Sequence, residues 1–426
     1  MNSKILFLGA AMWLPTLTLT GCQQEKSFPE DVLVEEKHES LPDWQEGYLD
    51  IHQISTGRGN AAFLIFPDGT TMLIDAGDLG EYTDGTQEIM KAMPNASKRP
   101  AEWIAQYVKH FSQPLKNDGS IDYAMITHFD EDHIGQNGRL AIKKEGLEYK
   151  FTGITHVGNL LNISTLIDRD YPTYNYPMAS RFSGSSFLNY KQFVTARDKD
   201  GKKNEKFDVG SNTQIKLLKK ANAYPLFEVR NIVGNGKIWT GNGTESKDIV
   251  PSSASSSQQL SENNCSCGVC ITYGDFEYFS GGDILGVMKN PEWFDIETPV
   301  GKLLGETDVV VANHHAYSDA MCDTYIAQVK PQVYVIPVWD YYHPQPDPLK
   351  RMLSQTLYTG NRMVFAAGLV NSNRNRLGEN GTKIKPAGHV VIRVYTGGQK
   401  FQVFVLNDKD ETYGIVYKTD EIKSNK

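Results

Sequence analysis

Residues 121–135 read Ile121-Asp122-Tyr123-Ala124-Met125-Ile126-Thr127-His128-Phe129-Asp130-Glu131-Asp132-His133-Ile134-Gly135. The first seven form an apolar run of strand character. The next six carry four side chains able to ligate a metal: His128, Asp130, Asp132 and His133. In a tight loop at a strand end, imidazoles and carboxylates at this spacing can converge on one or two cations.

Upstream of this stretch, Tyr48–Asp75 reads as strands. Asp68-Gly69 lies between the apolar runs Ala61–Phe66 and Thr71–Asp75, a strong hairpin signal. Residues 100–111 put Trp103, Ile104, Tyr107, Val108 and Phe111 on one helical face, with Pro100 suited to the first turn. Downstream, residues 158–264 read as irregular loop insertions, rich in turn residues such as Arg197–Lys203 and Ser252–Ser257. A second hairpin spans Val269–Ser280 around Gly274-Asp275-Phe276 and ends at Gly282-Asp283, much as the first ends at Gly77-Asp78.

The buried-type strand Asp308–Asn313 ends at His314-His315. A helix over 319–329 follows, and then Val333–Val338 runs to His343-Pro344. After a helix near 348–357, a last hairpin over 390–406 closes the chain. Strands alternate with helices while tight hairpins recur. This pattern predicts an α/β fold, two mixed sheets packed face to face with helices outside.

The chain has 426 residues, 40% hydrophobic and 22% charged, which excludes collagen, coiled coil and wholesale disorder. Lys+Arg is 43 against Asp+Glu 51, a net charge of −8, so no basic excess exists to coat extended nucleic acid. Lys4, the apolar run Ile5–Leu19 and the small residues before Cys22 read as a leader over 1–21. Residues 22–44 are polar and acidic, and read as a flexible tether to a catalytic body over 45–426. Small residues directly before a Cys resemble the bacterial lipobox. That resemblance implies cleavage before Cys22, acylation there, and a membrane-anchored lipoprotein of the bacterial cell envelope, outside the cytoplasmic membrane.

The stretch His128-x-Asp130-x-Asp132-His133 resembles the signature of the metallo-β-lactamase fold superfamily, usually His-x-His-x-Asp-His. With Asp130 in second place it is similar to the ComEC-type branch, named for the DNA-uptake competence protein. Gly57–Ala61, Pro67–Gly69, Leu73–Gly77, Asn263–Ser266, Tyr273–Phe276, Gly282-Asp283, His314-His315 and His343-Pro344 match that branch in order. The resemblance implies an αββα four-layer sandwich and two divalent ions; three carboxylates against three imidazoles make a hard ligand set, which admits Zn²⁺ at both positions and Mn²⁺ or Mg²⁺ at the weaker one. Its implied ligands are His128, Asp130, Asp132, His133, Asp283 and His343, with Asp283 bridging. Asp132, His133 and His343 would hold one ion; His128 and Asp130 the other.

Three departures stand out, one being Ala316-Tyr317 after the double His in place of the branch's usual Gly-Ser. The opening loop carries Asn60 where an acid is usual. Glu262-Asn263-Asn264 stands where the superfamily places a third-motif His.

Two cations sharing a water lower its pKa and clamp the attacking and leaving oxygens. Asp132 would serve the ions or the nucleophilic water. His314 or His315 could give a proton to the leaving group, or act as a ligand. Asp75 reads as a hydrogen-bond acceptor for the motif loop. The expected activity is metal-dependent hydrolysis, with a phosphodiester in a small molecule or short nucleotide as substrate. A lactone, thioester or other ester is the alternative on the same ions, and a surface binding protein with a degenerate site is the non-catalytic one. Cys265, Cys267 and Cys270 read as small buried hydrophobes, Cys322 as a residue on a helix face, and Tyr171–Pro177 as a packed loop.

Overall fold

The computed structural model describes residues 39–80 and 90–426. The leader, Cys22 and the tether up to residue 38 lie outside the described residues. The end of the expected tether belongs to the body. Leu41 is buried, Ser40 bridges to Gly414, and the Ile415 N–H donates to the Glu39 carbonyl at 2.7 Å. Leu41 and Trp44, both apolar, pack on the core. No helix among the described residues is long and apolar enough to cross a membrane.

Two mixed sheets carry the fold, and their central strands follow one pairing pattern. In the ten-stranded sheet, Leu49–Gln53, Ala62–Ile65 and Thr71–Ile74 form an antiparallel meander. Ile121–Met125, Ile163–Asp168 and Lys203–Lys206 then add in parallel. In the eight-stranded sheet, Phe227–Gly234, Gly268–Tyr273 and Phe276–Ser280 form the meander. Val309–Val311, Val333–Pro337 and Met363–Ala367 add in parallel. The two expected hairpins thus occupy equivalent places, one per sheet. The closing hairpin, His389–Val394 with Lys400–Leu406, extends the first sheet beyond Leu49–Gln53.

Side-chain alternation assigns each strand face to a layer. Met72 and Ile74, Tyr123 and Met125, Val269 and Ile271, Val309 and Val311, Val333 and Val335 all enter one core between the sheets. Their neighbours point outward. Phe63, Leu73 and Ala124 meet the helices Pro100–Phe111, Gly153–Leu160 and Ser185–Lys199. Val310, Tyr334 and Ile336 meet Glu297–Leu304, Asp323–Val329 and Pro346–Met352. Burial on both faces explains why the parallel strands read as unbroken apolar runs. The architecture is an αββα sandwich.

Residues 158–264 are more regular than expected. They supply two parallel strands of the first sheet and the eight-residue Phe227–Gly234 strand that opens the second meander. The helix expected from 319 begins at Asp323, and Cys322 is its N-cap rather than a residue on its face. All four described cysteines are buried and unbridged.

Phe276 and Phe401 meet edge-to-face across the inter-sheet core, with centroids 5.1 Å apart. Truncating either to Ala should cost about 3–5 kcal/mol in denaturant unfolding. A double-mutant cycle should return a coupling of about 0.5–1.5 kcal/mol. Zero coupling would contradict the face-to-face packing of the two sheets.

Candidate metal centre

The chemistry-bearing residues sit where strands end. Ile121–Met125 leads into His128 and the short helix Glu131–Ile134, Phe276–Ser280 leads to Asp283, and Val309–Val311 leads to His314 and His315. Open α/β sheets commonly place ligands at the carboxyl ends of their strands. Here both sheets contribute from that edge.

Asp283 lies at the centre. Its Oδ2 is 3.2 Å from His133 Nε2, 3.5 Å from His315 Nε2, 3.7 Å from His128 Nε2 and 3.9 Å from His314 Nε2. Asp132 Oδ2 stands 3.1 Å from His315 Nε2 and 3.4 Å from His133 Nε2. The donor atoms of Asp132, His133, Asp283 and His315 all lie within 4.8 Å of one another, the spacing of a metal site. On the other side of Asp283, His128 Nε2 is 3.5 Å from Asp130 Oδ2.

Each ring is tethered through its other nitrogen. His133 Nδ1–H donates to Asp75 at 2.7 Å, His315 Nδ1–H to the Pro337 carbonyl at 2.9 Å, and His314 Nδ1–H to Asp319 at 2.6 Å. His128 Nδ1 meets Thr127 Oγ1 at 3.1 Å. Such partners fix the tautomer and raise the basicity of the inward nitrogen. The Nε2 atoms of His128 and His133 are buried with no hydrogen-bond partner. Orphaned buried nitrogens facing carboxylates fit a divalent cation, and the mixed N/O set suits Zn²⁺ or Mn²⁺.

Asp75 takes the supporting role expected of it. Besides His133, it accepts from the Thr127 N–H, the Thr127 hydroxyl and Asn60 Nδ2 at 2.8–2.9 Å. Asn60 therefore serves that acceptor and not the centre. The Gly59 and Gly77 loops close on the motif: the Asn60 N–H donates to the Asp132 carbonyl at 2.8 Å. A Cβ on Gly77 would stand 1.8 Å from that same carbonyl oxygen, so only glycine fits.

His315 joins Asp132, His133 and Asp283, and His343 lies behind it, buried, with no hydrogen-bond partner on its Nδ1 among the described residues. A left-handed turn presents His315. His314, His315 and Ala316 have φ of 44°, 53° and 55°, a conformation that costs L-residues roughly 1–2 kcal/mol each. The turn is held by main-chain bonds from Tyr317 to His314, His314 to Gly282, and Gln345 to Ala316. Buried Asn313 Nδ2 also donates to Glu297 at 2.8 Å. His343 stacks on His315 with centroids 4.7 Å apart. Its burial and the neighbouring His315 charge hold its pKa well below the usual imidazole range.

No site role was expected of Asn263, whose Nδ2 meets His314 Nε2 at 3.1 Å, or of Asp319. Asp319 follows His314 by five residues, a separation with no regular period to flag it.

Without a metal, the cluster holds protons. Burial opposes charge on His315, but Asp283 and Asp132 push its pKa up to about 9. Burial opposes the charge on His133 too, and Asp283, Asp132 and Asp75 outweigh it, raising that pKa well above the usual value. The carboxyls of Asp132 and Asp283 are held well below theirs, burial being outweighed by the imidazolium charges.

No protein-family model matches this chain, and no curated protein matches it. Among solved structures, it is similar to a proposed metal-dependent hydrolase from Parabacteroides distasonis ATCC 8503. That likeness has 11% identity and a TM-score of 0.33, and covers 74% of this chain and 92% of that one. A protein of unknown function from Enterococcus faecalis V583 is similar at 8% identity and TM-score 0.28, over 76% of this chain and 73% of that one. Both likenesses are faint, and the functional reading rests on the geometry of the centre.

Metal loading must expel the protons on His133 and His315. Both are bound below the raised pKa values and lost above them, so metal affinity should climb with pH up to about 9, by about one log unit per pH unit for each proton expelled. Titrating metal-free protein with Zn²⁺ in weak buffer near neutrality should release acid. No acid release, with affinity flat from pH 6 to 9, would exclude these imidazoles as ligands.

Proposed function

We propose that this chain is a metal-dependent hydrolase of the metallo-β-lactamase superfamily, ComEC-like, acting on a phosphodiester in a small molecule or short nucleotide. The observation that carries this reading is the convergence of four imidazole Nε2 atoms on the one buried carboxylate of Asp283. Asp132, His133 and His315 would hold one ion and His128 and Asp130 the other, with Asp283 shared. Two such ions would supply an acidic shared water and a clamp on the attacking and leaving oxygens.

The chain's own groups do the rest. Asp75, Thr127 and the Pro337 carbonyl keep the rings in one tautomer. His314 lies beside the set, partly exposed, and is braced by Asp319. Burial disfavours its charge, but Asp319 and Asp283 outweigh that and raise its pKa. A proton held at Nε2 can then pass to a leaving oxygen while Asp319 stabilises the ring. Beside Asp130 opens a groove of about 420 Å³, floored by Phe129, Phe182 and Phe187 and rimmed by Ser183 and Ser185. That size suits a small substrate, for which roughly 300–1,000 Å³ is usual. The net charge of −8 also favours a small substrate over an extended polyanion.

The decisive experiment incubates metal-loaded protein with chromogenic phosphodiesters, esters, lactones, thioesters and a β-lactam, under Zn²⁺ and under Mn²⁺. Phosphodiester turnover is expected, and turnover confined to another panel member would move the substrate assignment. Asp132→Ala should lose more than about 100-fold in activity, the upper range for supporting residues alone, while unfolding as cooperatively as wild type. Wild type should bind two equivalents of metal, and Asp283→Ala at most one, because two cations would repel without the shared anion. Full occupancy in Asp283→Ala would withdraw the bridge.

We also infer a lipid anchor at Cys22 that holds the body in the bacterial envelope, outside the cytoplasmic membrane. The lipobox-like Leu19-Thr20-Gly21-Cys22 supports this. Cys22→Ser should move the protein from the membrane fraction to the soluble one, or stall its processing. Normal cleavage with unchanged membrane fractionation would refute the anchor.

A further inference from the structure

The two ion positions are supported very differently. The carboxylate of Asp132 and the ring of His133 are held by side-chain partners: His315 on the former, Asp75 on the latter. The Asp130 carboxylate is 47% exposed, and its partner in ion-pair range is His128 Nε2 at 3.5 Å. Its placement must therefore come through the main chain around it. The Asp130 carbonyl accepts from the His133 and Ile134 N–H groups, which fixes the side of the residue facing the helix Glu131–Ile134. The other side is Phe129, which separates Asp130 from His128.

Phe129 is gripped from two directions. Its N–H donates to Glu262 Oε1 at 2.9 Å. Its buried ring lies 4.7 Å from the guanidinium of Arg169, with Phe182 also within 5.1 Å of that group. Arg169 is fully buried and has no freedom to drift. Its Nε and Nη2 make a two-pronged bond to Glu262 at 2.8 and 2.6 Å. Its Nη1 reaches the Tyr176 carbonyl at 2.9 Å and Asn235 Oδ1 at 2.6 Å. Burial disfavours the Glu262 charge, but Arg169 outweighs it and keeps the carboxyl below its usual pKa. Planar, two-pronged pairing of this kind fixes geometry as well as charge. A buried ion pair is a weak source of net stability, so its value here is in specifying position.

We propose that Arg169 and Glu262 are positioning residues for the second ion. Through the Phe129 N–H and ring they set where His128 and Asp130 stand. This rests on the two-ion reading above. Glu262 acts on the ion position through Phe129, and it also lines the groove beside Asp130.

The test uses the full chain in three forms: wild type, Glu262→Ala and Glu262→Gln. Hydrogen exchange on metal-free protein is read for the segment containing Phe129 and for the core strands Ile121–Met125 and Val309–Val311. Mn²⁺ and Zn²⁺ titrations then give the affinity of each ion. Glu262→Ala should speed exchange at Phe129 and leave the core strands protected. It should weaken the second ion by about 10–100-fold, as loss of supporting partners does elsewhere, and leave the first ion as in wild type. Glu262→Gln keeps one oxygen to accept from the Phe129 N–H and Arg169 Nε but turns an amide N–H toward Arg169 Nη2, so its second-ion affinity should fall between those of Glu262→Ala and wild type.

Unchanged exchange at Phe129 in Glu262→Ala overturns the clamp, whatever the ion count. Parallel weakening of both ions with a lowered melting temperature overturns it too, because that is the signature of general destabilisation. Wild type binding a single ion would withdraw the two-ion reading, and with it the ion half of this proposal. The exchange comparison would still decide the Phe129 half.

Discussion

A carboxylate buried among four imidazoles cannot stay there without compensation. Asp283 is nearly inaccessible, and so are His128, His133 and His315. Taking such a group from water costs several kcal/mol unless charge and hydrogen bonds replace what water gave. The chain meets this by binding each ring through Nδ1 to a fixed acceptor, which leaves every Nε2 turned to the same point. The centre is then completed by protons or by cations. Much of the surrounding architecture keeps that arrangement from relaxing: the glycine loops at 59 and 77, the left-handed turn at 314–316, and the carboxylate of Asp75.

The repeated pairing pattern of the two sheets explains why the centre lies where it does. Each half is an antiparallel meander followed by three parallel strands. Face-to-face packing brings the strand ends together along one edge. Asp132, His133 and Asp75 come from the first half; Asp283 and His315 come from the second. Neither half holds a complete ligand set.

Local features were legible in the sequence. His128, Asp130, Asp132 and His133 fall within six residues, so their convergence needed only a tight loop. The two hairpins and the buried strand Val309–Val311 announced themselves by alternation and by continuous apolar runs. What escaped depended on geometry that no spacing encodes. The place of His315 beside Asp132 and His133 depends on three successive residues with positive φ, which their side chains do not advertise. Glu262 and Arg169 are 93 residues apart and meet only because the 158–264 interval threads both sheets. Asn263 seemed merely to mark a missing His, yet it lies against His314.

The division of the four clustered residues between the two halves would give a bound ion a mechanical role beside its chemical one. Asp132 and His133 stand on one sheet and Asp283 and His315 on the other, so any cation they share is a clasp across the seam. Occupying a site at a hundred times its dissociation constant stabilises the folded state by about 2.7 kcal/mol, and here that energy falls on the sandwich interface. Stripping a bound metal with a chelator would then loosen the seam as well as empty the centre. The two leaves would keep their apolar core and the bonds that cross the seam near the centre, among them the Cys267 N–H to the Thr127 carbonyl at 2.8 Å and the Phe129 N–H to Glu262 at 2.9 Å.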